Sequence, residues 1–187
     1  MSWRRLVAIF ISQTIEPTTA APNRRTAIAG ISPPSKIQQT NIMSAEQRAR
    51  DLNISFPAQQ PGYLNLCAKS GNLLITSGHV SDMKGKLGAG LSTAEGYEAA
   101  KQCAIKILQS VHARHGTLDG LKVIKVLGCV NSAPDYIEHH LVINGASDLF
   151  HQVFGKETDG YHARSALGFA SLPTGVAVEV EAIFEII

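Results

Sequence analysis

The chain has 187 residues, 44% hydrophobic, 17% charged and 6% aromatic, with a formal net charge of +2. That composition suits one globular domain of ordinary size plus an extension, able to bury a core without disulfides or metal. Three widely spaced cysteines, Cys67, Cys103 and Cys129, contain no CxxC pair, which argues against a disulfide framework and a zinc signature.

The charge is uneven. Residues 1–43 carry Arg4, Arg5, Arg24, Arg25 and Lys36 against Glu16 alone, while the rest holds twelve basic and fourteen acidic residues. Residues 1–44 therefore read as an extension, disordered or targeting, and residues 45–187 as the folded domain. A Ser/Thr/Ala/Pro-rich, acid-poor, Arg-bearing stretch matches a mitochondrial transit peptide, with a cytoplasmic location as the alternative. The apolar run over residues 6–11 is too short to span a bilayer. The slightly acidic domain lacks the basic face expected of a nucleic-acid binder.

Residues 62–68 alternate and predict a strand. The turn Lys69-Ser70-Gly71-Asn72 then leads to a return strand over residues 73–77. Residues 81–91 read as a Gly/Lys-rich loop. Ser92-Thr93-Ala94-Glu95 is a capping box, and the helix it opens places Tyr97, Ala100, Cys103, Ala104, Ile107, Leu108 and Val111 on one face before Gly116 stops it.

Residues 121–130 predict a largely buried strand. A second helix follows, clearest over residues 146–154, then a loop over residues 156–161 and a strand over residues 162–169. In the last strand Val176, Val178, Val180, Ala182, Phe184 and Ile186 face one way, and Glu179, Glu181, Ile183 and Glu185 the other. The order β-β-α-β-α-β-β predicts a two-layer α+β domain, a mixed sheet with two long helices on one face. Ile183 beside the two glutamates marks the other face as a subunit interface.

The segments Ile75-Thr76-Ser77-Gly78, Ala163-Arg164-Ser165 and Leu172-Pro173, with Val178-Glu179-Val180-Glu181-Ala182-Ile183, occur in an order and spacing that resembles the RidA family. That family is also called YjgF or L-PSP endoribonuclease-like, and the resemblance covers roughly residues 50–187. It implies a chorismate mutase-like fold and a homotrimer with sites between subunits. It also implies hydrolysis of 2-imino or enamino acids to 2-keto acids and ammonia without metal or organic cofactor.

By the same resemblance Arg164 grips the substrate carboxylate and Glu179 positions the attacking water. Tyr63, Ser77, Gly78 and Asn144 line the pocket. The chain departs from the family pattern at Ala166, where a cysteine is common, at His79, where a glutamine is common, and in a longer loop before Arg164. These departures mark a divergent branch.

On its own chemistry, the Arg164 guanidinium is a planar fork suited to a carboxylate. The structural alternative is an ion pair with Glu179 or Glu181. Glu179 can orient water or take a proton if burial raises its pKa. His79 and His162 are candidates for a proton donor or specificity contact. His139-His140 are adjacent and project differently, and HExxH is absent, so no metal site is expected. Two rival functions remain: an endoribonuclease, and a non-catalytic trimer that binds a small carboxylate metabolite.

Overall fold

A computed structural model of the chain describes residues 43–187. Of the expected extension over residues 1–44, residues 1–42 lie outside the described residues. Helix α1 (Ala45–Asp51) opens the domain, with Ser44 as N-cap accepting from Gln47 N. Strands β1 (Cys67–Ser70) and β2 (Leu73–Thr76) form a hairpin, and β3 (His79–Val80) follows. The short strands β4 (Lys86–Leu87) and β5 (Gly90–Leu91) lead to α2 (Thr93–His115). Then come β6 (Leu121–Asn131), α3 (His139–Phe154), β7 (Ala163–Phe169) and β8 (Val178–Ile186).

The main sheet runs β1-β2-β8-β6-β7, with β3 also pairing to β8. Within it only β6 and β7 are parallel, joined by the crossover through α3, so this is a mixed sheet with two long helices, as expected. The crossover places β7 at the sheet edge. Strand β8 returns on the other side of β6, so β6 lies between the strands that carry Arg164 and Glu179.

Each element forms for a local reason. The capping box of α2 is realised: Ser92 Oγ accepts from Glu95 N, and the Glu95 carboxylate accepts from Ser92 N at 2.8 Å. Gly116 ends the helix at φ 94°, a left-handed conformation that glycine adopts without steric cost. The expected alternation of β8 holds, with Val178, Val180, Ala182 and Phe184 all buried. Phe184 meets Phe150 of α3 edge-to-face at 5.8 Å. Each buried valine or phenylalanine among them stabilises by about 1.5–3 kcal/mol. The helices approach closely where α3 crosses α2: a Cβ on Gly145 would sit 2.0 Å from the Tyr97 carbonyl oxygen.

Two expectations need correction. The strand expected over residues 62–68 is confined to Cys67–Ser70. Strand β2 ends at Thr76 and the chain turns into β3, so residues 62–66 have no ladder partner. The second helix, clearest in the sequence over residues 146–154, runs from His139 to Phe154, while the loop expected over residues 156–161 begins instead with a π turn over Gly155–Asp159.

Helix α1, for which the sequence carries no expectation, is fastened through Glu46. That carboxylate accepts from Thr117 Oγ1 at 2.7 Å and Leu118 N at 3.2 Å, and pairs with Arg50 at 2.7 Å. Arg48 Nε donates to Val153 O at the end of α3.

Candidate functional site

Arg164 stands near the start of edge strand β7, level with Val126 of β6, which is itself level with Ala182 of β8. Side chains level with one another across neighbouring strands share a face. Val126 and Ala182 are buried beneath the helices, so Arg164 projects to the helix side. Its Nη1 donates to Asn144 Oδ1 at 2.8 Å and to Ser147 Oγ at 3.1 Å, and its Nη2 to the His140 carbonyl at 3.3 Å.

All three acceptors lie on α3 and all are neutral. Among the described residues Arg164 makes no ion pair, so the pairing with Glu179 or Glu181 weighed from the sequence does not form. Burial draws the guanidinium pKa below its ordinary value, with Asp148 opposing. A half-buried cation with only neutral partners retains most of its attraction for an anion.

Glu179 is level with Cys129 and one residue out of phase with the buried Val178 and Val180, so it projects from the opposite face of the sheet. Burial, joined by Glu181, raises its pKa above the usual carboxylate value. Its carboxyl lies over the backbone of Gly78: a Cβ there would sit 1.9 Å from Glu179 Oε1. Only a residue without a side chain accommodates that approach. Cys129 shares this environment, and burial with the two glutamates pushes its thiol up to about 11. Burial likewise raises Cys67, and it takes Cys103 to about 12.

The remaining expected residues divide between these two places and a third. Asn144 sits with Arg164. Gly78 sits with Glu179. Ser77 Oγ donates to the Asn65 carbonyl at 2.9 Å, tying the start of β3 to the irregular segment over residues 62–66. Tyr63, in that segment, is fully exposed at 101% and lines a groove of about 580 Å³ with Gln59, Leu66, Cys67, Ser110 and Arg114. One copy of the chain thus brings Arg164 to Asn144 and Gly78 to Glu179, and leaves the two pairs on opposite faces.

His79 is buried. Its Nδ1 lies 2.8 Å from the Ser77 carbonyl, so it carries the proton, and Nε2 accepts from Ser110 Oγ at 2.8 Å. Burial lowers its pKa, so it is a neutral tie beneath the β2–β3 turn. Ser147 is not singled out by the sequence motifs, although it lies three residues after Asn144 and therefore on the same helix face. Lys86 is a second such residue: its Nζ donates to Asn131 Oδ1 at 2.6 Å and the Ala170 carbonyl at 2.7 Å, pinning the chain after β7. No three His, Cys, Asp or Glu among the described residues are grouped to hold a metal ion. No helix among them is long and apolar enough to cross a membrane.

The fold is an α+β domain with a mixed sheet and two long helices, carrying a half-buried arginine with neutral hydrogen-bond partners on one side and a carboxyl of raised pKa on the other. The family model for Endoribonuclease L-PSP matches residues 55–186, and the chain belongs to that family, the RidA (YjgF) family. The chain is 40% identical to the Agrobacterium tumefaciens protein Atu1372, of unknown function, over 76% of this chain and 93% of that one, with a TM-score of 0.68. A candidate endoribonuclease from Shewanella oneidensis MR-1 is 25% identical over 76% of this chain and 99% of its own, with a TM-score of 0.70. Protein TCP17 of Trypanosoma cruzi is 49% identical over 105 residues, 56% of this chain. The match spans 65% of the length of that relative.

Proposed function

We propose that the chain is a hydrolytic deaminase of reactive 2-imino and enamino acids, working as a homotrimer with its sites between subunits. The observation that carries this reading is Arg164: a half-buried guanidinium held by Asn144, Ser147 and the His140 carbonyl, with no anionic partner among the described residues. Such a group takes a small carboxylate in two parallel hydrogen bonds.

The reaction needs little else from the chain. Water adds to the C2 of the imine, its oxygen forming the new C–O bond while the imine nitrogen takes a proton. The C–N bond of the resulting carbinolamine then breaks, ammonia leaves, and the 2-keto acid remains. Glu179, its pKa raised by burial, accepts the proton from the attacking water and returns it to the departing nitrogen. An imine is a good electrophile, so orientation and proton transfer suffice.

Two features support assembly of copies. Arg164 and Glu179 leave opposite faces of one sheet, so a shared pocket requires a second copy. The outer face also exposes Ile75, Leu167 and Phe169, alongside Ile183. The acid-poor, arginine-bearing N-terminal stretch supports a mitochondrial location.

The test is release of 2-keto acid from freshly generated 2-aminoacrylate. The purified chain accelerates it, and Arg164→Ala removes at least about tenfold of kcat/KM, the loss expected for a charge-assisted pair. No acceleration, or an unchanged rate in Arg164→Ala, overturns the proposal. Cleavage of RNA that survives repurification and is lost in Glu179→Gln would instead favour the ribonuclease reading attached to the family name.

A further inference from the structure

His162 lies in the long loop before Arg164, two residues ahead of it. Its Nδ1 is 2.5 Å from the Gly160 carbonyl, an atom that can only accept, so Nδ1 carries the proton. Nε2 therefore accepts, and 3.0 Å away stands Ser147 Oγ. That hydroxyl oxygen accepts a hydrogen bond from Arg164 Nη1 at 3.1 Å. The three groups form a directed chain: Arg164 donates to Ser147, Ser147 donates to His162, and His162 donates to the backbone of Gly160.

Both ring nitrogens of His162 are occupied, and the ring is wedged edge-on against Phe150 at 6.1 Å and beside His151 at 5.3 Å. Ser147 is buried, with 5% exposure, so its hydroxyl depends on protein partners for its hydrogen bonds. A buried serine hydroxyl left to rotate would offer Arg164 a lone pair in only some orientations. With its own proton committed to His162, it presents that lone pair continuously.

We propose that His162 is a positioning residue for Arg164: through the Ser147 hydroxyl it fixes the guanidinium in the orientation that receives a substrate carboxylate. Asn144 Oδ1, 2.8 Å from the same Nη1, supplies the second fixed acceptor. The arrangement holds Nη1, and one hydrogen of Nη2 through the His140 carbonyl, against α3, and leaves the Nε hydrogen and the second Nη2 hydrogen for the ligand. The loop before Arg164 thereby acquires a role, since the Gly160 carbonyl sets the tautomer and the tautomer sets the serine. The inference rests on the reading of Arg164 as a carboxylate grip.

The experiment titrates 2-oxobutanoate, a small 2-oxo carboxylate, into the full chain, and measures KM and kcat for keto-acid release in parallel. Ser147→Ala and His162→Phe each weaken binding and raise KM by roughly tenfold, the scale of one lost orienting hydrogen bond, with kcat little changed. The double variant is no worse than Ser147→Ala alone, because both act through one link. His162→Gln, whose amide oxygen can stand where Nε2 stands, restores most of the affinity.

A His162→Phe variant that binds like the wild type overturns the inference. So does a glutamine variant no better than phenylalanine, or a double variant in which the two losses multiply. If His162→Phe does not fold, Ser147→Ala and His162→Gln read the same link. Arg164→Ala separates the two levels: if it abolishes binding and His162→Phe does not weaken it, only the positioning role fails. If wild type does not bind the probe, or Arg164→Ala binds it normally, the carboxylate-grip reading fails and the positioning role with it.

Discussion

Arg164 and Glu179 leave opposite faces of one sheet, with the whole of β6 between their strands; Arg164 is level with Val126 and Glu179 with Cys129. A pocket that uses both takes the arginine from one copy and the carboxyl from another. Subunits carrying Arg164→Ala and subunits carrying Glu179→Gln, each impaired separately, are then expected to regain activity when co-assembled. Random assortment restores roughly a quarter of the sites. Keto-acid release that stays at background after verified mixing would place both residues in a site within one copy, or in no common site.

Glu179 predicts a trade between activity and stability. Its folded pKa lies above its unfolded value, so the native state holds its proton more tightly. The glutamate's contribution therefore falls as pH rises through the ordinary carboxylate range to the raised folded pKa, and at neutral pH the ionised group costs stability. Glu179→Gln is expected to raise the neutral-pH melting temperature slightly while lowering kcat by about a hundredfold, a typical loss for a general base. At about pH 4 the melting difference should shrink. A variant that melts lower at neutral pH contradicts this account.

Glu46 behaves in the opposite sense. Burial opposes its ionisation, but Thr117, Arg50, the Leu118 amide and His112 together bring its pKa down to about 2. The folded value lies below the unfolded one, so the contribution is present above about pH 4.5 and lost as pH falls toward 2. Glu46→Gln should destabilise by about 1–2 kcal/mol at neutral pH. It should also remove part of the acid-induced loss seen in wild type, measured by urea unfolding between about pH 7 and about pH 2.5. Equal acid sensitivity in both would refute the role.

Gly145 sets the spacing of the two long helices. A methyl group there meets the Tyr97 carbonyl, a backbone atom that cannot swing aside. Gly145→Ala should cost about 1–3 kcal/mol despite alanine's better helix propensity. Because Asn144 and Ser147 ride on the same helix, carboxylate binding should weaken with it. A thermal melt at or above the wild-type midpoint would show that the helices separate freely.

The parts of the fold that were legible in the sequence are those where a local signal and a packed face coincide. Ser92 and Glu95 mark the start of α2, and the alternating Val178, Val180, Ala182 and Phe184 mark β8. Residues 62–66 misled because alternation describes a strand's faces but not its partner, and β2 is spent at Thr76. The start of α3 was obscure for a related reason: Glu138 as N-cap makes no side-chain capping bond, so the usual start signal is missing. Arg164 and Asn144 were named from the family motifs. Their separation from Glu179 follows from where the α3 crossover lays β7, which no run of residues along one strand displays. Ser147 needed only helical spacing from Asn144 to be found, and His162 needed the loop's own geometry.

The surroundings that raise the Glu179 pKa have a consequence for its neighbour. Cys129, pushed up to about 11 beside the two glutamates, is ionised in fewer than about one molecule in a thousand at neutral pH. Cys103 and Cys67 are suppressed in the same direction. The thiolate, not the thiol, is the nucleophile that adds to an electrophilic imine carbon. Sulfurs held as thiols are therefore poor traps for imines of the proposed kind, so such compounds would pass the three cysteines largely unreacted.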